Sequence, residues 1–394
     1  MHHQSHEHGM AIPLTQEDRA RRAFVSSLRS HVLQQMSAGL RQHFDSTVAE
    51  ENTKRGKRLE TPEDIHRSLL DAFPFKAYSS VRTSAQEMVF DVVSDAVDRN
   101  RDSLNDRPTV DSCSGTLTLD PHLELPKNVT GFDVHLAPGA YHAEYQPGDL
   151  CAGAVYDNSI DVFAFGQFGK ELNDIGSTLA NYIRLAYSDF NPQQILDCGC
   201  TVGHNTLPWA TAFPDAEVTA IDVAAPVLRY GHARAQSLGI PVHFKQMDAS
   251  DMAFDDEQFD VVFSSMFLHE LPPKVLAAYL REAYRVLKPG GVLWQMELPP
   301  MNAMPVYENF YMNWDTYYNN EPYYGTFRKQ NYRELLSNAG FDEDNFIEAT
   351  LPRYTFVGDA AFKSALTGSN TFDSLTGRMD PKGTRWYGFG AWKE

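Results

Sequence analysis

With 394 residues, 42% of them apolar and 22% charged, the chain has the composition of a packed globular protein and a length that suggests two domains. A formal net charge of −18 at pH 7 repels phosphate backbones and anionic lipid, so neither nucleic acid nor membrane is expected as a partner and a small molecule suits the chain better. Four cysteines are too few for a disulfide framework, no apolar run is long enough to span a bilayer, and no leader-type segment opens the chain; together these point to a cytoplasmic protein.

The first residues carry His2, His3, His6 and His8 without apolar neighbours to fix a ligand geometry. Residues 1–14 are therefore expected to be a disordered extension, and no metal is expected. From Thr15 the apolar residues Phe24, Val25, Leu28, Val32, Leu33, Met36 and Leu40 recur at helical steps. A second helix start is written at Thr61-Pro62-Glu63-Asp64, with Thr61 as N-cap and Pro62 in the first turn. Helical periodicity continues through Ile65, Leu69, Met88, Val92 and Val97, so residues 15–110 read as a helical accessory domain that shapes a pocket or a homodimer interface.

Residues 111–165 change character. Thr116-Leu117-Thr118-Leu119 alternates, Pro138-Gly139 and Pro147-Gly148 punctuate, and Val155, Ile160, Val162 and Phe163 are strand-like, which predicts a small β-rich connection. Helical spacing returns over Leu172, Ile175, Leu179 and Ile183. From Gln194 onward strands and helices alternate, the pattern of a doubly wound α/β sheet over residues 166–394. Phe346 to Leu351 and Arg385 to Trp392 are expected as the last two strands, a hairpin with a long excursion between them.

The strand Gln194-Ile195-Leu196-Asp197-Cys198 runs into Gly199-Cys200-Thr201-Val202-Gly203, a glycine-bounded turn where backbone can approach a ligand closely. Asp222 ends the second strand, Asp248-Ala249 follow the third, and Phe259-Asp260-Val261-Val262 leads to Ser264-Ser265 at the end of the fourth. Arg285-Val286-Leu287-Lys288-Pro289-Gly290-Gly291 turns into the fifth. In this order and spacing over about residues 190–300, the motifs resemble those of class I S-adenosylmethionine-dependent methyltransferases. That family's first motif has a third glycine where this chain has Thr201, so a β-branched residue occupies a position that usually favours glycine.

The resemblance implies a doubly wound, seven-stranded methyltransferase sheet with the last strand antiparallel and S-adenosylmethionine across the C-terminal strand edges. Asp197 and Gly199 would hold the methionine portion, Asp222 the ribose, Asp248 and Ala249 the adenine, and Ser264 the floor near the sulfonium. Cys200, Gly203 and Val223 complete the implied cofactor set. His269, just after the fourth strand, is the candidate base for a methyl acceptor, and Glu270 is the residue to orient it. The aromatic stretch of residues 300–328 is expected to be a lid, with Tyr307, Tyr311, Trp314 and Tyr318 as substrate-binding candidates. Tyr141, His142 and Tyr145 are further candidates. The expected reaction is O- or N-methylation of a small molecule. The other reading is a binding protein of this fold, or an enzyme that uses the cofactor site for a different reaction such as cyclisation. Release of S-adenosylhomocysteine in the presence of an acceptor separates the two.

Overall fold

The computed structural model describes residues 8–107, 110–366, 372–373, 378–379 and 385–394. Its centre is an eight-stranded sheet. In chain order the strands are β1 (Leu117–Thr118), β2 (Gln194–Cys198), β3 (Glu217–Asp222), β4 (His243–Gln246), β5 (Phe259–Ser265), β6 (Leu287–Glu297), β7 (Phe346–Pro352) and a C-terminal strand, Arg385–Trp392. They lie in the order β1-β4-β3-β2-β5-β6-C-terminal strand-β7. The strands from β1 to β6 pair in parallel, and the C-terminal strand runs antiparallel between β6 and β7. The seventh strand and its antiparallel partner thus take the expected places. The extra edge strand comes from Leu117 and Thr118, which pair with Phe244 and Lys245.

Strand alternation divides the core into two layers. Ile195, Val218, Val261 and Trp294 face one side with Leu179, Trp209 and Phe362. Leu196, Ile221, Val262 and Leu293 face the other with Leu276, Tyr279 and Leu280. Strand order reverses between β2 and β5, so the carboxyl ends of those strands open the crevice where doubly wound sheets receive ligands.

The helical region begins as read. Thr15 Oγ accepts from the Asp18 N–H while Asp18 accepts from the Thr15 N–H, and Thr61 and Asp64 form the same reciprocal cap with Pro62 at the first position. The first helix continues through π-helical turns at Val32–Met36 and Phe44–Val48. This region shares a core with the sheet domain: Val25, Val89, Phe90 and Val93 pack in one cluster with Val202, Val227 and Tyr230.

Two expectations are corrected. Residues 8–14 are not a disordered extension: Met10 and Ile12 are buried and the His8 ring lies 3.2 Å from the Asp157 carboxylate. Residues 1–7, with His2, His3 and His6, lie outside the described residues. The β-rich connection contains only β1; its apolar second half is the helix Cys151–Ala164. Asp149 accepts the Cys151 N–H at the start of that helix, and Gly153 lets it close on Tyr230, where a Cβ would come within 2.2 Å of the Tyr230 Cβ. Packing against the helices Phe73–Arg99 and Ala225–Leu238 overrides the strand preference of Val155, Ile160 and Val162.

Candidate active site

A cavity of about 390 Å³ opens at the reversal of strand order. Its floor is made by the turns after β2, β3 and β5: Gly199 to Thr201, Asp222 to Ala224, and Ser265 to Leu271. Its roof is Phe132, His135, Tyr141, Tyr156, Phe163 and Phe168, with Asp315, Asn319, Glu321 and Tyr324 closing one side.

The first turn holds the shape its sequence implied, by a different use of its backbone. The N–H groups of Gly199 and Cys200 donate to the Ile221 carbonyl, and that of Thr201 donates to Asp222 at 3.0 Å, so these donors brace the turn rather than face a ligand. Thr201 adopts φ 48° and thereby takes the left-handed conformation at the position of the missing glycine. Gly199 is fixed by both conformation and space: its φ is 76°, and a Cβ there would lie 2.5 Å from the Phe267 ring. Gly199→Ala is expected to cost about 1–3 kcal/mol through that overlap and to widen the loop. Urea unfolding together with calorimetric titration of S-adenosylhomocysteine measures both effects.

Asp222 accepts from the N–H groups of Thr201 and Ala224, one on each oxygen. A carboxylate oxygen accepts more than once, so both retain capacity for the hydroxyls of a ribose. Burial raises its pKa, and the backbone donors counter that. Asp197 is buried and accepts from Thr206 Oγ at 2.5 Å; burial, with Asp222 nearby, pushes it up to about 7. Cys200 and Val223 also line the cavity. This set fits the methionine and ribose portions of S-adenosylmethionine.

Gly203, Asp248, Ala249 and Ser264 do not line the cavity. Gly203 backs onto Phe244, which a Cβ would meet at 3.1 Å. Asp248 accepts from the N–H and hydroxyl of Ser250, and Ala249 is buried beside Met252 and Phe254. Ser264 points to the opposite side of β5 and hydrogen-bonds Gln295, so strand alternation brings its neighbour Ser265 to the cavity instead. The Ser265 hydroxyl is buried with no protein partner.

At the far end the candidate base stands in a cluster. His269 is 3% exposed, and its Nδ1 donates to Glu297 Oε2 at 2.6 Å. Glu297, at the end of β6, also accepts the N–H groups of Phe267 and Leu268, so one buried carboxylate fixes the whole turn after β5. Burial pulls the His269 pKa down, but Glu297 outweighs it and brings it up to about 9. His269 Nε2 lies 3.6 Å from Glu270 Oε1. His135 joins from the roof: its Nε2 is 3.3 Å from Glu270 and 3.4 Å from Glu321, and its Nδ1 is 3.3 Å from the Tyr141 hydroxyl. Burial lowers the His135 pKa; the two carboxylates overcome this and raise it to about 10. Among the expected site residues, the structure brings together Asp197, Gly199, Cys200, Asp222, Val223, His269 and Glu270.

The four aromatic substrate candidates are elsewhere. Tyr307, Tyr311, Trp314 and Tyr318 recur on one face of the helix Val306–Tyr317 and its C-cap, and that face packs on Phe44, Phe75 and Tyr78 of the N-terminal helices. The cavity receives the other face, Asp315 and Thr316, followed by Asn319. Tyr141 does line the cavity, whereas His142 and Tyr145 do not. Residues missed from the sequence are His135, Glu297 and Glu321, each separated from His269 by an intervening segment.

A family of methyltransferase domains matches residues 195–291. A demethylmenaquinone methyltransferase of Thermus thermophilus is 36% identical over 109 residues, 28% of this chain and 49% of that protein. A ubiquinone biosynthesis O-methyltransferase of Pseudomonas savastanoi is 34% identical over 125 residues, 31% of this chain and 51% of the relative. The chain thus spans about half the length of the curated relatives it matches. Among solved structures, a putative O-methyltransferase from Nostoc punctiforme aligns with a TM-score of 0.42 at 17% identity, covering 61% of this chain and 60% of the other. Residues 195–291 thus form a methyltransferase domain, and the likeness to class I S-adenosylmethionine-dependent methyltransferases read from the motifs is shown over that part of the chain.

Proposed function

We propose that the chain methylates a small molecule at an oxygen or nitrogen that carries a proton. One observation carries this reading: a single cavity joins the Gly199–Thr201 turn and Asp222 to the imidazoles and carboxylates of His135, His269, Glu270 and Glu321. When bound, S-adenosylmethionine supplies a methyl group already activated on its sulfonium. The chain's own residues then have three tasks: to align the acceptor, to exclude water, and to receive a proton. Asp222 anchors the ribose and the Gly199 turn sets how deeply the cofactor sits. The apolar roof, with Phe132, Phe163 and Phe168, excludes water and suits a planar apolar body. The polar end takes the acceptor's nucleophilic atom, and His269, oriented by Glu297 with Glu270 beside it, receives the proton in its neutral form, which gains as pH rises toward about 9.

The two relatives are named for demethylmenaquinone and for ubiquinone biosynthesis, and an acceptor of that general kind, a planar apolar body with one polar edge, matches this cavity. The cavity's volume and its roof suit a small molecule, and the charge of −18 disfavours a nucleic-acid acceptor. Among the described residues no helix is long and apolar enough to cross a membrane.

Calorimetric titration of S-adenosylhomocysteine tests the reading first. Asp222→Ala is expected to weaken binding about 100-fold, the loss of two hydrogen bonds to a charged group. Circular dichroism checks that the variant is folded. A folded parent chain that binds neither S-adenosylmethionine nor S-adenosylhomocysteine would overturn the proposal.

A further inference from the structure

The cluster at the acceptor end has a second reading, which rests on the proposed methyl transfer and deepens it. His135, Glu270 and Glu321 come from three distant parts of the sequence, yet each presents one ligand atom within 4.8 Å of the others. The Nε2 atom of His269 reaches the same Glu270 oxygen. Three donors therefore converge, one imidazole nitrogen and two carboxylate oxygens, with the His269 imidazole beside them on the Glu270 oxygen.

Three features indicate a built site. The separations fit: with bonds of about 2.0–2.1 Å and tetrahedral angles, neighbouring donors stand about 3.3–3.4 Å apart. Here His135 Nε2 lies 3.3 and 3.4 Å from the two carboxylates. Both imidazoles are also oriented from behind. His269 Nδ1 donates to Glu297 and His135 Nδ1 faces the Tyr141 hydroxyl, which leaves each Nε2 turned to the cluster, as in the carboxylate–histidine–metal arrangement. Finally, His135 is held at φ 59°, a left-handed conformation that a non-glycine residue adopts at a cost. Glu321 is fixed as well, by Asn319 Nδ2 donating at 2.6 Å.

We infer that His135, Glu270 and Glu321 bind one divalent transition-metal ion, of the zinc class, and leave its fourth position open. An imidazole with two carboxylates and an open position suits a borderline cation such as Zn²⁺ better than Mg²⁺, which prefers oxygen ligands and retains its water. The ion sits where the acceptor's nucleophilic atom must arrive. A hydroxyl that joined its shell would lose its proton near neutral pH. His269 in its neutral form, beside the ion on the Glu270 oxygen, is placed to receive that proton.

The test uses the full chain with His2, His3 and His6 replaced by alanine, so that uptake by the N-terminal histidines is removed. After chelator treatment, calorimetry with Zn²⁺ is expected to give one ion per chain, and Co²⁺ to give the visible absorption of a low-symmetry nitrogen–oxygen site. Glu321→Gln and His135→Gln are each expected to weaken Zn²⁺ binding at least about tenfold while S-adenosylhomocysteine binding stays within about twofold. A chain that binds S-adenosylhomocysteine but takes up no stoichiometric Zn²⁺ would overturn the metal site alone. So would uptake that survives the pair Glu270→Gln and Glu321→Gln unchanged. Stoichiometric Zn²⁺ uptake without S-adenosylhomocysteine binding would leave the site standing and remove the methyl-transfer reading.

Discussion

Trp314→Ala is expected to destabilise the chain by about 3–5 kcal/mol, the range for truncating a buried aromatic side chain. The side chain is 5% exposed and stacks on Phe75 with ring centroids 4.5 Å apart, packs on Tyr78 at 4.6 Å, and lies parallel to Phe310 at 5.7 Å. Those rings come from the helix Phe73–Arg99 and from Trp314's own helix, so the alanine would leave a cavity between the N-terminal helices and the segment that walls the active site. Trp314→Phe supplies the control. The indole Nε1 is buried without a partner, so phenylalanine keeps most of the stacking and removes an unpaired donor. Its cost is expected to stay below about 1.5 kcal/mol. Chemical denaturation of both variants measures the difference. A substrate-binding Trp314 would give the opposite pattern: near-parental stability with a raised KM for the acceptor.

The same residue shows where the sequence stops being legible. The aromatic crowding of residues 301–327 is visible in the letters, and so is its helical spacing, but spacing does not say which partner a face meets. Here the aromatic stripe meets Phe44, Phe75 and Tyr78, more than two hundred residues earlier, and the weaker polar stripe of Asp315, Thr316 and Asn319 faces the cavity. The β2 turn is readable because its signals are local: a buried strand, two glycines and an acid about twenty residues on belong to one strand–turn–helix–strand unit. Thr201 was the doubtful letter, and the N–H it donates to Asp222 helps hold the left-handed turn without the third glycine. Ser264 shows a smaller failure. The strand was placed correctly, but which of two adjacent serines faces the ligand depends on alternation across a sheet already buried on both faces. His135, Glu297 and Glu321 left no signal, because a site assembled from a roof loop, a strand end and a lid segment has no spacing to recognise.

Asp315→Ala should be as damaging as the loss of Trp314, for an electrostatic reason. Arg82 has a side chain only 1% exposed, and it donates to Asp315 Oδ1 at 2.6 Å and to Oδ2 at 3.1 Å in a bidentate pair. Removing the carboxylate strands a buried guanidinium, which costs about 3–5 kcal/mol. Replacing both partners, Arg82→Met with Asp315→Leu, removes charge and penalty together and is expected to restore most of that stability, so a double-mutant cycle by urea unfolding should show strong coupling. Function should not follow stability in that double variant. Arg82 also donates to Asn319, whose amide holds Glu321, and to Gln86, whose amide holds the His135 carbonyl. One buried arginine thus braces both non-contiguous halves of the polar cluster. The restored double variant is expected to bind S-adenosylhomocysteine normally and to lose at least about tenfold in kcat/KM for the acceptor, since a misplacement of about 1 Å at the reacting centre costs up to about a hundredfold. A double variant that regained acceptor turnover along with stability would show that the apolar pair holds the cluster equally well, and the bracing role would then belong to the helix packing around Trp314.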